Sequence, residues 1–167
     1  MKALVFVLAL SLASAAAMPA TALAQSPMQD RTFVTTMLQI SLAQIAYAKL
    51  AQTKGTSTGT RALASRALSE WTDDTQTPLR AIAAAYKWTA PTALTAAQNA
   101  TLTALQDESG TDFDRDYTNA VILDYSRAIA MDGDEQNSSD DALHAFAEGI
   151  LGMYIQTRDL ARNNLGF

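Results

Sequence analysis

The sequence predicts an all-α protein, an antiparallel four-helix bundle with an additional short helix. Three observations lead there. Alanine, leucine and threonine are abundant among the 167 residues, and the alanine and leucine favour helix. Stretches in which β-branched residues alternate with polar ones are missing, so no strand is expected. Apolar side chains instead recur at alternating spacings of four and three, the seam of a helix packed in a bundle.

Residues 1–24 are set apart. Lys2 gives a positive start, an apolar run extends from Ala3 to about Met18, and Ala22-Leu23-Ala24 supplies a small-x-small cleavage pattern, so the segment is expected to be an export signal. Residues 25–167 then form a single domain in the periplasm or outside the cell, with no stable membrane insertion after cleavage.

The first helix is expected to start after Asp30 as its cap and to end at Lys54, before Gly55-Thr56-Ser57-Thr58-Gly59. Its stripe is Phe33, Met37, Ile40, Gln44, Tyr47 and Ala51. A second helix spans about Thr60 to Trp88 with Leu68, Trp71, Thr75, Leu79, Ile82 and Tyr86 inward; Pro78 lacks an amide hydrogen and predicts a kink or break near Thr75 to Thr77. A short helix from Leu94 to Gln106 turns Leu102 and Leu105 inward. The third long helix starts near Thr111 or Asp112 and carries Phe113, Tyr117, Val121, Ile122, Tyr125 and Ile129 before fading at Met131. Asp132 to Asp141 is expected to be a solvated loop, with Ser138 or Ser139 capping the last helix. That helix extends to about Asn163 with a stripe of Phe146, Ile150, Met153, Thr157 and Leu160, and with Ala145, Gly149 and Gly152 as a strip where a neighbour approaches closely.

Charge and composition exclude several function classes. The formal net charge is −5, and loss of Lys2 takes the mature chain to −6, which repels nucleic acid and anionic lipid. Cysteine is absent, so disulfides, thiolate metal sites and cysteine nucleophiles are excluded. No G-x-S-x-G elbow or phosphate-binding glycine loop occurs, and no catalytic residue is assigned. His144, the only histidine, lies off the last stripe and has no converging partners. The acidic run from Asp132 to Asn137 lacks the glycine and glutamate of a calcium loop. Asp112, Asp114 and Asp116 crowd a helix start, where the helix dipole and capping explain them.

Asp30-x-x-Phe33-Val34, Leu50-Ala51, Gly110-x-x-Phe113-Asp114-x-x-Tyr117, and Phe146-Ala147 followed by Leu151 and Ala161 together resemble a ferritin-like group of exported bacterial proteins, domain of unknown function 4142. The resemblance covers roughly Asp30 to Leu165 and implies a ferritin-like bundle. It also implies a glutamate on the first long helix and a histidine on each of the other three, at positions occupied here by Gln44, Trp71, Tyr125 and Thr157. None of these is a good metal ligand, and neither a metal nor another cofactor is expected. The four instead predict a packed, uncharged centre in which Gln44 and Thr157 serve the polar tips of Trp71 and Tyr125.

The expected function is that of a non-catalytic exported bundle, binding or structural in the cell envelope, with an unidentified protein or small molecule as partner. The alternative is a metal-dependent oxidative or stress-protection protein of ferritin-like type. It requires two or more of Glu70, Asp73, Asp74 and Asp124 to point inward together. A third reading has the bundle open at its Pro78 kink to take an apolar ligand or a partner helix.

Overall fold

A computed structural model describes residues 27–165, and the 1–24 segment read as an export signal lies outside them. The elements are α1 (Pro27–Lys54), α2 (Thr58–Ser69), a π-helical stretch (Glu70–Gln76), α3 (Thr77–Ala85), α4 (Ala96–Asp107), α5 (Gly110–Glu135) and α6 (Asp141–Asn164). All are helical, and no strand occurs among the described residues.

Bonds between the helices fix their directions. The turn 55–57 sends α2 and α3 back along α1, where Gln76 Nε2 donates to Ser41 Oγ at 3.2 Å. α5 also runs against α1: Thr56 N donates to Asp114 at 2.9 Å, Gln44 to Asp124 at 2.7 Å, and Ser138 to Asp30 at 3.2 Å. α6 runs against α2, with Arg66 Nε 2.6 Å from Thr157 Oγ1 and the Thr75 and Tyr154 hydroxyls 2.6 Å apart. α4 travels with α1, since Tyr47 donates to the Gln98 carbonyl at 3.0 Å and Lys54 to that of Leu105 at 3.1 Å. The chain from α3 to α5 is therefore a crossover from one end of the bundle to the other.

α1 is the central element, packed against α2, the π stretch, α3, α4 and α5. Val34, Leu38, Ala43 and Ala48 are buried along with the predicted stripe, so the helix is apolar on more than one face.

Pro78 does not break the second helix. Its ring would clash with the carbonyl a turn earlier in a regular α-helix, and the π stretch just before it makes the room. Thr77 N donates to Thr72 O, five residues back, while the Thr75 and Thr77 hydroxyls bond the Glu70 and Thr72 carbonyls at 2.9 Å each. Trp71, Thr75 and Leu79 remain buried across the join.

The Gly-x-x-Phe-Asp-x-x-Tyr string is a clasp at one end. Gly110 has φ +64°, which strains any residue with a Cβ. One turn later Asp114 accepts from Thr56 N, Thr56 Oγ1 (2.6 Å) and Ser57 N (2.8 Å), tying the α1–α2 turn to α5. Burial pushes the Asp114 carboxyl up, but those bonds outweigh it and hold its pKa below the ordinary value. Phe113 and Tyr117 are buried beside the clasp, their rings parallel at 6.2 Å.

Several expected boundaries shift. α1 begins before Asp30, which is buried inside its first turn instead of capping it. α5 continues past Met131, so Asp132 to Glu135 is helix, with Asp132 and Glu135 fully buried where a solvated loop was expected. The start of α6 covers that last turn, with His144 Nδ1 2.8 Å from the Gln136 carbonyl. Asp140 caps α6 by accepting from Ala142 N and Leu143 N at 3.0 Å, while Ser138 is occupied with Asp30 and Asp140 N.

Tyr86 and Leu160, assigned inward, are 48% and 38% exposed. Tyr86 lies just beyond the end of α3 and stacks on Trp88 at 4.7 Å. The Ala145, Gly149 and Gly152 strip faces outward, and a Cβ on either glycine would meet nothing within 4 Å.

Candidate functional site

The π stretch, α5 and α6 bring three large rings together at the middle of the bundle. Trp71 stacks on Tyr154 at 5.0 Å and meets Tyr125 edge-on at 5.1 Å, and the two tyrosines are edge-on at 5.5 Å. All three are fully buried. Offset and edge-to-face contacts of this kind add about 0.5 to 1.5 kcal/mol per pair beyond the burial of the rings.

Glu70 lies beside them at 4% exposure, as the polar hub of the centre. Its Oε1 accepts from Thr157 Oγ1 at 2.8 Å and from Arg66 Nε at 2.7 Å, and its Oε2 accepts from the Tyr125 hydroxyl at 2.8 Å. The single counter-charge comes from Arg66, one turn earlier and 39% exposed, so this ion pair spans core and surface. Burial, then the neighbouring Glu70 carboxylate, raises the Tyr125 pKa well above the ordinary value, and the phenol stays a protonated donor. Gln44 and Thr157 therefore do not serve the tips of Trp71 and Tyr125 as expected: Tyr125 and Thr157 both donate to the Glu70 carboxylate, and the centre is built on a charge instead of being uncharged.

Gln44, the fourth position, is fully buried and donates through Nε2 to Asp124 Oδ2 at 2.7 Å. Its Oε1 has no partner among the described residues; the same holds for Trp71 Nε1 and the Tyr117 hydroxyl. Burial raises the Asp124 pKa, partly offset by the Gln44 bond and the nearby Arg127.

Of the four carboxylates among which the metal-dependent reading needs two or more pointing inward together, Glu70 is buried and Asp124 half-buried, each with its own partners, whereas Asp73 and Asp74 are exposed. Among the described residues no group of three or more histidine and carboxylate side chains is placed to hold an ion. The centre does not fit a bound metal: the one buried carboxylate is engaged by three donors, and its neighbours are an indole, two phenols and a hydroxyl.

A second buried acidic position lies at the far end of α5. Both Asp132 carboxylate oxygens lack a partner among the described residues, and burial followed by the Glu135 charge pushes its pKa up to about 7. His144 is half-exposed, its Nε2 3.6 Å from Glu148.

The sequence stripes missed Glu70, Tyr154 and Asp132. A seam of Leu143, Ala147, Ile150, Tyr154, Thr157 and Ala161 has the same four-three spacing as the stripe chosen for the last helix, and all six are buried. Bulky Phe146, Met153 and Leu160 flank that seam, while the small Ala147 and Ala161 let α6 come close. The signal for Tyr154 was therefore present one position away. For Glu70 no periodic signal existed, because the π stretch changes the rotation per residue where it occurs.

The chain matches the family described as "Domain of unknown function (DUF4142)" over residues 13–163. It is also similar in structure to a DUF305 fragment from Deinococcus radiodurans, with a TM-score of 0.75 at 15% identity, covering 86% of this chain and 98% of that one. At that identity the likeness concerns the fold alone. No curated protein matches.

Proposed function

We propose, for a chain that belongs to the domain of unknown function 4142 family, an exported, non-catalytic helical bundle of ferritin-like type that acts in the cell envelope by binding or as a structural element. One observation carries this reading: the middle of the bundle is filled by the Trp71, Tyr125 and Tyr154 rings around a Glu70 carboxylate that already has three donors. A ferritin-like metal site needs open carboxylates or imidazoles converging from facing helices, and this centre offers packing instead. The ferritin-like type draws support from the long antiparallel helices joined by an end-to-end crossover through α4. Export draws support from the charge, apolar run and cleavage pattern of residues 1–24.

Two experiments test it. In cell fractionation, the protein is expected in the periplasm or medium with Gln25 at its N-terminus; retention of the uncut chain in the cytoplasm would overturn export. In a variant combining Gln44→Glu, Trp71→His, Tyr125→His and Thr157→His, gain of a tightly held divalent ion is expected, since positions 125 and 157 both reach the Glu70 carboxylate and position 71 lies against position 125. A folded variant that gains no ion would refute the assignment of these positions to the ligand sites of the family.

A further inference from the structure

Outside the aromatic centre, a cavity of about 610 Å³ opens between α1, the 89–95 connection, α4 and α5. That volume lies within the range of small-molecule sites, roughly 300 to 1,000 Å³. Its apolar lining includes Ile40, Tyr47, Ala120 and Leu123, and Leu123 is 70% exposed, an unusual position for a large aliphatic side chain.

The walls are fixed by reciprocal bonds. Gln39 Nε2 donates to Gln98 Oε1 at 2.7 Å and to the Ala93 carbonyl at 2.9 Å, and Gln98 Nε2 donates back to the Gln39 carbonyl at 2.9 Å. Gln98 also completes the capping box with Thr95 that starts α4, and Tyr47 holds its carbonyl. The crossover is thereby latched onto α1, and the concavity is formed before any ligand arrives.

Within this lining Asp124 is the single carboxylate. One of its oxygens takes the Gln44 amide, a neutral donor, and Asp124 makes no ion pair with any described residue. Arg127, one turn further along α5, is exposed and also lines the cavity. A half-buried carboxylate held by an amide, in a cavity lined by apolar side chains together with threonines, glutamines and Arg127, offers an anionic anchor to an organic cation.

We infer that this cavity is a binding site for a small primary ammonium compound, its charged nitrogen on Asp124 and its apolar body against Ile40, Tyr47, Ala120 and Leu123. This site is separate from the aromatic centre and does not depend on export or on the metal-free reading. Ammonium binding displaces no group the fold requires, because Gln44 keeps its bond to the other carboxylate oxygen.

Calorimetric titration of the intact protein with 2-phenylethylamine, against 2-phenylethanol and phenylacetate, tests it. The amine is expected to bind at least about tenfold more tightly than the alcohol, with no binding of the acid, because a charge-assisted hydrogen bond is roughly twice as strong as a neutral one. Asp124→Asn is expected to remove that preference while leaving an acceptor for Gln44. Arg127→Ala, at an exposed position, is expected to tighten amine binding by about threefold through loss of one nearby like charge. Equal binding of amine and alcohol, no detectable amine binding, or an amine preference that survives Asp124→Asn would overturn the inference. Should Asp124→Asn fail to fold, Arg127→Ala decides: unchanged or weaker amine binding overturns the site.

Discussion

Replacing Asp132 by asparagine isolates one buried charge and reads its contribution as a pH dependence. Asp132 is fully buried at the end of α5, neither carboxylate oxygen has a partner among the described residues, and its pKa is pushed from 3.8 up to about 7 by burial and by the Glu135 charge. Across on α6, Tyr154 stays neutral, its own pKa raised well above the ordinary value by burial. A carboxyl whose folded pKa is raised binds its proton more tightly in the native state. Its favourable contribution is complete below the unfolded value near 4 and is lost as pH rises through about 7. Three units at about 1.36 kcal/mol each set an upper limit of about 4 kcal/mol, and solvent screening brings the expected figure to about 2 to 4 kcal/mol.

The amide of Asp132→Asn cannot ionise, so urea midpoints of the two proteins should diverge steadily from pH 4 to pH 8 in favour of the variant. Titrating groups remote from Asp132 cancel in the difference, and the Glu135 charge that acts on Asp132 is part of the effect read. Equal slopes for both proteins across that range, or a wild type that gains on the variant at high pH, would refute the reasoning.

Trp71→Ala should cost about 3 to 5 kcal/mol in urea unfolding, because the indole is fully buried against two rings and its loss leaves a cavity between them. Glu70→Ala should cost about 2 to 4 kcal/mol by the same measurement, since the Tyr125 and Thr157 hydroxyls lose their common acceptor inside the core. Gly149→Ala should raise stability by about 0.5 to 1 kcal/mol, seen as a higher melting temperature, because it adds helix propensity where a Cβ meets nothing within 4 Å.

The helical class was legible because four-three spacing survives along α1 and α5, where all six predicted inward residues of α1 are buried. On α6 the same rule admitted two seams, and side-chain bulk favoured the wrong one. Close helix approach selects small residues, so Ala147 and Ala161 mark the interface better than Phe146 and Leu160. The Pro78 expectation located the irregularity, and its break does not occur, since a π turn relieves the ring clash without ending the helix. Burial of Asp132 ran against every local cue in an acidic, glycine-containing stretch; tertiary cover by α6 decides it. The four positions Gln44, Trp71, Tyr125 and Thr157 came from family resemblance and periodicity together; Glu70 and Asp124 were legible only as carboxylates that a metal-dependent reading would turn inward, and their bonds to Tyr125, Thr157 and Gln44 appear only once the helices are assembled.

The most direct test of a centre closed by aromatic packing around an engaged Glu70 is elemental analysis of the mature native protein after mild chelation. Iron, manganese and zinc should each fall far below one ion per chain, for lack of converging ligands. Retention of any of them at roughly one ion per chain, lost on Glu70→Gln, would contradict the account.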